Sequence, residues 1–186
     1  MRKNRRGIVS GAVTAIHDRP FVVLLVGLRI NKWWRVDHAW QALRVFRRLH
    51  RELEQNPAEG LLAYQWWWGH PMLSVQYWES WEHVEAWARR REGGHRQAWT
   101  DYAQRLRPAG SIGVWHETYI IEPGKYETVY NAMPLFGLGR AVASVVPARG
   151  RAGRASGRIA LGGQDLTSSS AEAMLGRATG GGPHPK

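Results

Sequence analysis

Of the eight histidines in this 186-residue chain, two stand where an imidazole could do chemistry. His116 lies in GVWHETY, a run whose alternation places Val114, His116 and Thr118 on one strand face and Trp115, Glu117 and Tyr119 on the other. Neutral imidazole serves as a general base or as an axial haem ligand, so a histidine breaking a buried-looking strand face is a candidate for either role. The same residue could equally be a core histidine bonded to a backbone carbonyl or to Gln65 or Gln76. His95 follows Gly93-Gly94 and begins the helical stripe His95, Trp99, Tyr102, Leu106, which puts it at a bend, either near a cavity mouth or as a plain helix-end residue. Glu117 adjoins His116 in sequence but faces away from it, so the two do not easily form an acid–base pair.

A hairpin supplies the second set of candidates. LLAYQWWWGHPMLSVQYW (61–78) reads as two strands joined by Gly69-His70, a two-residue loop with glycine first. That loop sets Trp66 across from Leu73 and Gln65 across from Ser74. One face then carries Tyr64, Trp66, Trp68, Leu73, Val75 and Tyr77, and the other Gln65, Trp67, Met72, Ser74, Gln76 and Trp78. The first set is expected beneath the chain's own helices. The second mixes indoles with amides and a hydroxyl, so Gln65, Trp67, Ser74, Gln76 and Trp78 are the expected binding residues for a small apolar or aromatic molecule. Helices cannot also cover Trp67 and Trp78 on that face, and a second copy packed sheet to sheet, a homodimer, is the expected cover.

The elements that must position these residues follow from periodicity. FVVLLVGLRI (21–30) is a β-branched and leucine-rich strand, too short for the roughly 20 residues of a membrane helix. Asp37 opens a helix with the stripe Ala39, Leu43, Phe46, Leu49, Leu53, which ends before Pro57. Ser80 opens a second helix with Trp81, Val84 and Trp87. Gly93-Gly94 breaks it, and SIGVWHETYII (111–121) is the last strand. Strand, helix, strand, strand, helix, strand is the ferredoxin-like order of an α+β domain.

Composition bounds the rest. The net charge of +11 is concentrated at the ends: residues 1–20 and 147–186 carry +4 each, leaving +3 between them. All eleven tryptophans lie between Trp33 and Trp115. The expected organisation is a flexible basic arm at 1–20, a domain at 21–146, and a Gly/Ser/Arg-rich flexible tail at 147–186. Such tails touch nucleic acid or anionic membrane through charge alone, and the domain lacks a basic-aromatic stripe for specific nucleic-acid recognition. The absence of cysteine excludes disulfides, thiolate metal sites and cysteine nucleophiles, and fits a cytoplasmic protein. No phosphate-binding glycine loop, metal-ligand spacing or nucleophile elbow is present, so redox chemistry here would use haem, an unmotifed flavin, or the substrate's own reactivity toward oxygen.

Two segments also resemble known families. VQYWESWEHVEAWARRREGGHRQAW (75–99) resembles the strand-to-helix segment of the antibiotic-biosynthesis-monooxygenase type of dimeric α+β barrel. GVWHETYIIEPGKYETVYNAMPLFGLGRA (113–141) is similar to the signature of a family catalogued as domain of unknown function 4188, described as like a fumagillin-pathway monooxygenase, and VPARGRAGRASGRI resembles that family's basic extension. The resemblance implies a dimeric α+β barrel whose superfamily includes cofactor-free monooxygenases, haem enzymes such as aldoxime dehydratases and chlorite dismutase, and members without chemistry. Expected cofactors are therefore none or haem. In YETVYNAMPLFGLG, the resemblance region offers either a lid over the cavity or an arm around a partner subunit.

Overall fold

The computed structural model describes residues 7–90, 94–142 and 144–162. At its centre lies an antiparallel sheet of β2 (Phe21–Ile30), β3 (Leu61–Trp67), β4 (Met72–Trp78) and β5 (Ile112–Ile121), in the spatial order β3-β4-β2-β5. Helix α1 (Val36–Gln55) follows β2. After β4 come α2 (Trp81–Arg89) and α3 (Gly94–Asp101), the latter running through a π-helical turn, Tyr102–Leu106, into the short α4 (Arg107–Ala109). This is the ferredoxin-like α+β fold that the element order implies. The periodicity also located the strands and the two principal helices.

Pairing register decides which residues meet the helices. Val22, Leu24, Val26 and Leu28 stand opposite Trp78, Gln76, Ser74 and Met72 of β4, and opposite Ile120, Thr118, His116 and Val114 of β5. All of these share one face. α1 and α2 cover much of it: Leu49 and Leu53 pack with Val22, Leu24, Trp78, Val84 and Trp87. Farther along, Ala42 packs with Leu28, Met72, Leu106 and Ile112.

The hairpin corrects the expected register by one residue. Trp67 pairs with Leu73, Trp66 with Ser74, Gln65 with Val75 and Tyr64 with Gln76, so the connection is the four residues Trp68-Gly69-His70-Pro71, with a cis His70-Pro71 bond. A shift of one residue moves a whole strand's side chains to the other face. Tyr64 and Trp66 face the helices as expected, but Ser74, Gln76 and Trp78 face them too, while Gln65 and Trp67 lie on the opposite side with Leu73, Val75 and Tyr77. Trp78 is fully buried beneath α2 against Trp87, so it needs no partner subunit to cover it.

The opposite face is partly covered by this chain itself. Residues 7–20, expected as a loose arm, contribute β1 (Ala12–Ala15), which pairs with β6 (Tyr130–Asn131) and β7 (Val145–Pro147) in a second, three-stranded sheet. Val9, Val13 and Ala15 are buried with Phe21, Tyr130, Leu138 and Val142, and Val23, Tyr77, Ile121 and Phe136 pack around them. α5 (Leu138–Ala141) belongs to this layer. The segment Tyr126–Phe136 is thus a cover for the second face of the sheet, away from the helices. The start of the expected tail is also packed: α6 (Ala155–Gly162) buries Leu161 against Ile16 and Ala152. Residues 1–6 and 163–186, the remainder of the two expected flexible ends, lie outside the described residues.

Candidate functional site

A cavity of about 450 Å³ lies between the helix-facing side of the sheet and α1, α2 and α3, within the range of about 300–1,000 Å³ usual for small-molecule sites. Its wall is mostly apolar: Leu24, Val26 and Leu28 from β2, Val45, Leu49 and Leu53 from α1, Val84 and Trp87 from α2, and Ala98, Tyr102 and Leu106 from the α3 region. Three histidines interrupt that wall, His50, His95 and His116, together with Gln76 and Thr118. Exposed Val114, His116, Trp81 and Trp99 form its solvent side.

His50 is the polar centre on α1. Its Nδ1 donates to the Phe46 carbonyl at 2.9 Å, one turn earlier, and a carbonyl can only accept. Nε2 is therefore the acceptor, for the Ser74 hydroxyl at 3.0 Å and the Gln76 amide at 3.2 Å. The Gln76 carbonyl oxygen in turn accepts from the Trp78 indole at 3.0 Å. All four side chains are buried, and no buried side-chain polar atom among the described residues lacks a partner. Phe46, Tyr64 and Trp66 rings surround the imidazole at 4.5–5.4 Å between centroids. Burial pushes its pKa below the ordinary histidine value, against the Phe46 carbonyl and Glu54, so His50 is neutral in this network.

His95 is tied at both nitrogens. Nδ1 donates to the Ala88 carbonyl at 3.1 Å and Nε2 accepts the Trp99 indole N–H at 3.1 Å, while Trp87 lies against the ring. Burial, opposed by the Ala88 carbonyl and by Glu52, lowers its pKa, and the nearby His116 lowers it further. His116 differs from both. Its imidazole makes no hydrogen bond among the described residues, and it is exposed on β5, the edge strand of the sheet.

Of the expected site residues, His95, His116 and Gln76 line one cavity, and Ser74 and Trp78 support it through the His50 network. Gln65 and Trp67 do not belong there; Trp67 is half-exposed on the other face, against Phe136. The expectation that His116 interrupts a buried strand is also corrected, since only the register places it on the cavity side and the strand order leaves it open to solvent. Sequence reasoning missed His50. The signal was present, because His50 is four residues after Phe46 and three before Leu53 in the buried stripe of α1. On the opposite side of His50, Arg47, Arg51, Glu54, Tyr64, Trp66 and Trp68 line a second hollow of about 310 Å³. No cluster of three or more metal-ligating side chains occurs among the described residues.

The profile of a family described as monooxygenase af470-like matches residues 21–138, the central sheet, its helices and the start of the covering layer. Among solved structures, the chain superposes on an aldoxime dehydratase in complex with butyraldoxime with a TM-score of 0.59 and 13% identity, over 74% of this chain and 41% of that one. It thus spans about two-fifths of the dehydratase chain's length. A conserved protein of unknown function from Bacteroides thetaiotaomicron aligns at 15% identity and TM-score 0.40, over 56% of this chain and 100% of that one. A candidate antibiotic biosynthesis monooxygenase from Chloroflexus aurantiacus aligns at 13% identity and TM-score 0.35, over 54% and 92%. At such identities the likeness is one of fold. No curated protein matches the chain in sequence.

Proposed function

We propose, from the premise that this chain belongs to the monooxygenase af470-like family, that it is a monooxygenase-type oxidoreductase acting on an apolar or aromatic small molecule held between the sheet and α1–α3. The observation that carries this reading is one imidazole, His116, without a hydrogen-bond partner among the described residues, at the open side of a largely apolar cavity of about 450 Å³. His50 and His95 have their nitrogens engaged, so His116 is the group able to take a proton. In the cofactor-free form, His116 as general base removes a proton from an acidic C–H or O–H of the substrate. The substrate loses two hydrogens in all and gains one atom of dioxygen, and the other oxygen atom leaves as water. The mostly apolar wall holds the body of the substrate, while the Gln76 amide, engaged by His50 and Trp78, supports that wall. The finer assignment to the 4188 group stands on the 113–141 segment and on the basic extension VPARGRAGRASGRI.

A second reading rests on the same imidazole, since an unengaged histidine facing an apolar cavity would also suit a haem ligand. Bound haem would supply iron redox or Lewis-acid chemistry at that position, and His116 would be its anchor, with His95 held back by Trp99 and Ala88. An ultraviolet–visible spectrum of freshly purified protein separates the two. A Soret band that His116→Gln abolishes supports the haem form. A protein without one, whose cavity binds aromatic probes and whose oxygen consumption with an enolisable or phenolic substrate depends on His116, supports the cofactor-free form. Intact binding and turnover in His116→Gln would overturn both.

The homodimer belongs to this proposal as well. The second layer leaves Trp67 and Tyr119 about half-exposed on the outer face of the central sheet, and a second copy would cover them. Sedimentation equilibrium returning a monomer at micromolar concentration would reject it.

A further inference from the structure

Four large apolar side chains remain uncovered where β2 hands over to α1. Trp33, Trp34, Val36 and Trp40 are between 59% and 79% exposed, within a stretch of eight residues. The Trp33 and Trp34 rings meet edge to face at 5.9 Å, and none of the four lines either cavity described above. Single exposed apolar residues are ordinary, but a contiguous group with three indoles calls for a partner.

The helix that follows indicates the chemistry of that partner. At 100° per residue, Val36, Trp40, Arg44, Arg47, Arg48 and Arg51 fall within an arc of about 120°, a stripe about 22 Å long at 1.5 Å per residue. The opposite side of α1 is the one that buries Ala42, Leu49 and Leu53. None of the four arginines forms an ion pair among the described residues, and the acid nearest the tryptophans, Asp37, is held by Arg35 at 2.8 Å. Glu54 shares this arc beyond Arg51 and accepts from the Tyr64 hydroxyl at 2.7 Å, so the outward face of α1 carries Trp40 at one end, just past Trp33 and Trp34, and a surplus of guanidinium groups along its length.

We propose that this face docks on an anionic lipid bilayer surface. Indole rings favour the headgroup level, where an apolar body meets a polar N–H, and guanidinium groups beside them meet anionic headgroups. An interfacial helix of this kind lies on the membrane with its apolar residues in the headgroup boundary. It needs no spanning segment, and no helix among the described residues is long and apolar enough to be one. The proposal is independent of the cavity's chemistry.

The test is co-sedimentation of the full chain with vesicles of phosphatidylcholine alone and with one-third phosphatidylglycerol. Binding is expected to the anionic vesicles and to weaken with salt. The substitutions Trp33→Ser, Trp34→Ser and Trp40→Ser together should lower the apparent affinity at least about tenfold without lowering Tm, as the rings are exposed. Arg44→Gln with Arg48→Gln should lower it severalfold and flatten the salt dependence. If the triple variant loses its cooperative melt, Trp33→Ser with Trp34→Ser is read in its place. The proposal is overturned if anionic vesicles do not bring the protein down, or if the tryptophan variants bind as tightly as the parent, which would assign binding to the basic termini. It is equally overturned if those substitutions abolish self-association in the absence of any vesicle binding, because the patch is then a contact between copies.

Discussion

His50 and His116 show how differently two histidines of one cavity are used. His50 is the acceptor that lets Ser74 and Gln76 lie in the core, so its loss strands two buried donors. His50→Leu is expected to cost about 1–3 kcal/mol for these groups, read as a fall in Tm of about 2–4 °C per kcal/mol. His116 is exposed at a sheet edge, and His116→Gln should leave stability within about 0.5 kcal/mol while lowering turnover by about 10²–10⁴-fold if it is the base. The pair of measurements separates a structural from a functional histidine. Acid sensitivity follows from the same scale. His17, His50 and His95 are all held below the ordinary value of 6.5, chiefly by burial. Between 6.5 and those lower folded-state values, the unfolded chain binds more protons than the folded one, so their contribution is complete above 6.5 and is lost as the pH falls through the folded-state pKa values. Tm should therefore decline from about pH 7.5 to about pH 5.5, and His50→Gln, with one fewer group to take up a proton, should show a shallower decline in the same thermal scans.

At the scale of elements, the hairpin carries the largest consequence for the site. A four-residue connection, in place of the two-residue Gly-His loop, turned β4 over relative to β3 and brought Ser74, Gln76 and Trp78 under the helices. The two tryptophans expected on one face should respond to different degrees. Trp78→Ala empties a buried position beneath Trp87 and should cost about 3–5 kcal/mol, whereas Trp67→Ala removes a half-exposed ring and should cost about 1 kcal/mol or less; denaturant melts of both variants check the register. β5 supplies the companion lesson. Its alternation was readable and kept His116 apart from Glu117, but neither its position at the edge nor the side on which the helices pack was, so both the burial of His116 and its face, expected away from the helices with Gln65 and Gln76, were misjudged.

For the molecule as a whole, the second sheet changes what the N-terminal segment means. β1 lies between β6 and β7, and the burial of Val9, Val13, Ala15 and Ile16 seals one end of the sheet's outer face. Each such side chain contributes about 1–3 kcal/mol, so removing residues 1–16 should lower stability by at least about 3 kcal/mol, seen as an early thermal transition. A dispensable arm would leave the melt unchanged.

Local signals determined the elements of this protein: β-branched runs, the apolar stripe of α1 and the alternation of GVWHETY are all short-range patterns, and together they implied the ferredoxin-like order. They also marked Gln65, Trp67, Ser74, Gln76, Trp78, His95 and His116 as candidates for a site. Tertiary structure alone decided which of these meet. Strand pairing depends on the turn adopted at residues 68–71, the exposure of His116 depends on the strand order β3-β4-β2-β5, and the value of His50 depends on two donors at least 24 residues away in sequence. The covering sheet is of the same kind, since Val13 finds Tyr130 and Pro147 only after the chain has closed on itself. A side chain's type reports what it can bond to, and only the pairing of distant segments supplies the bond.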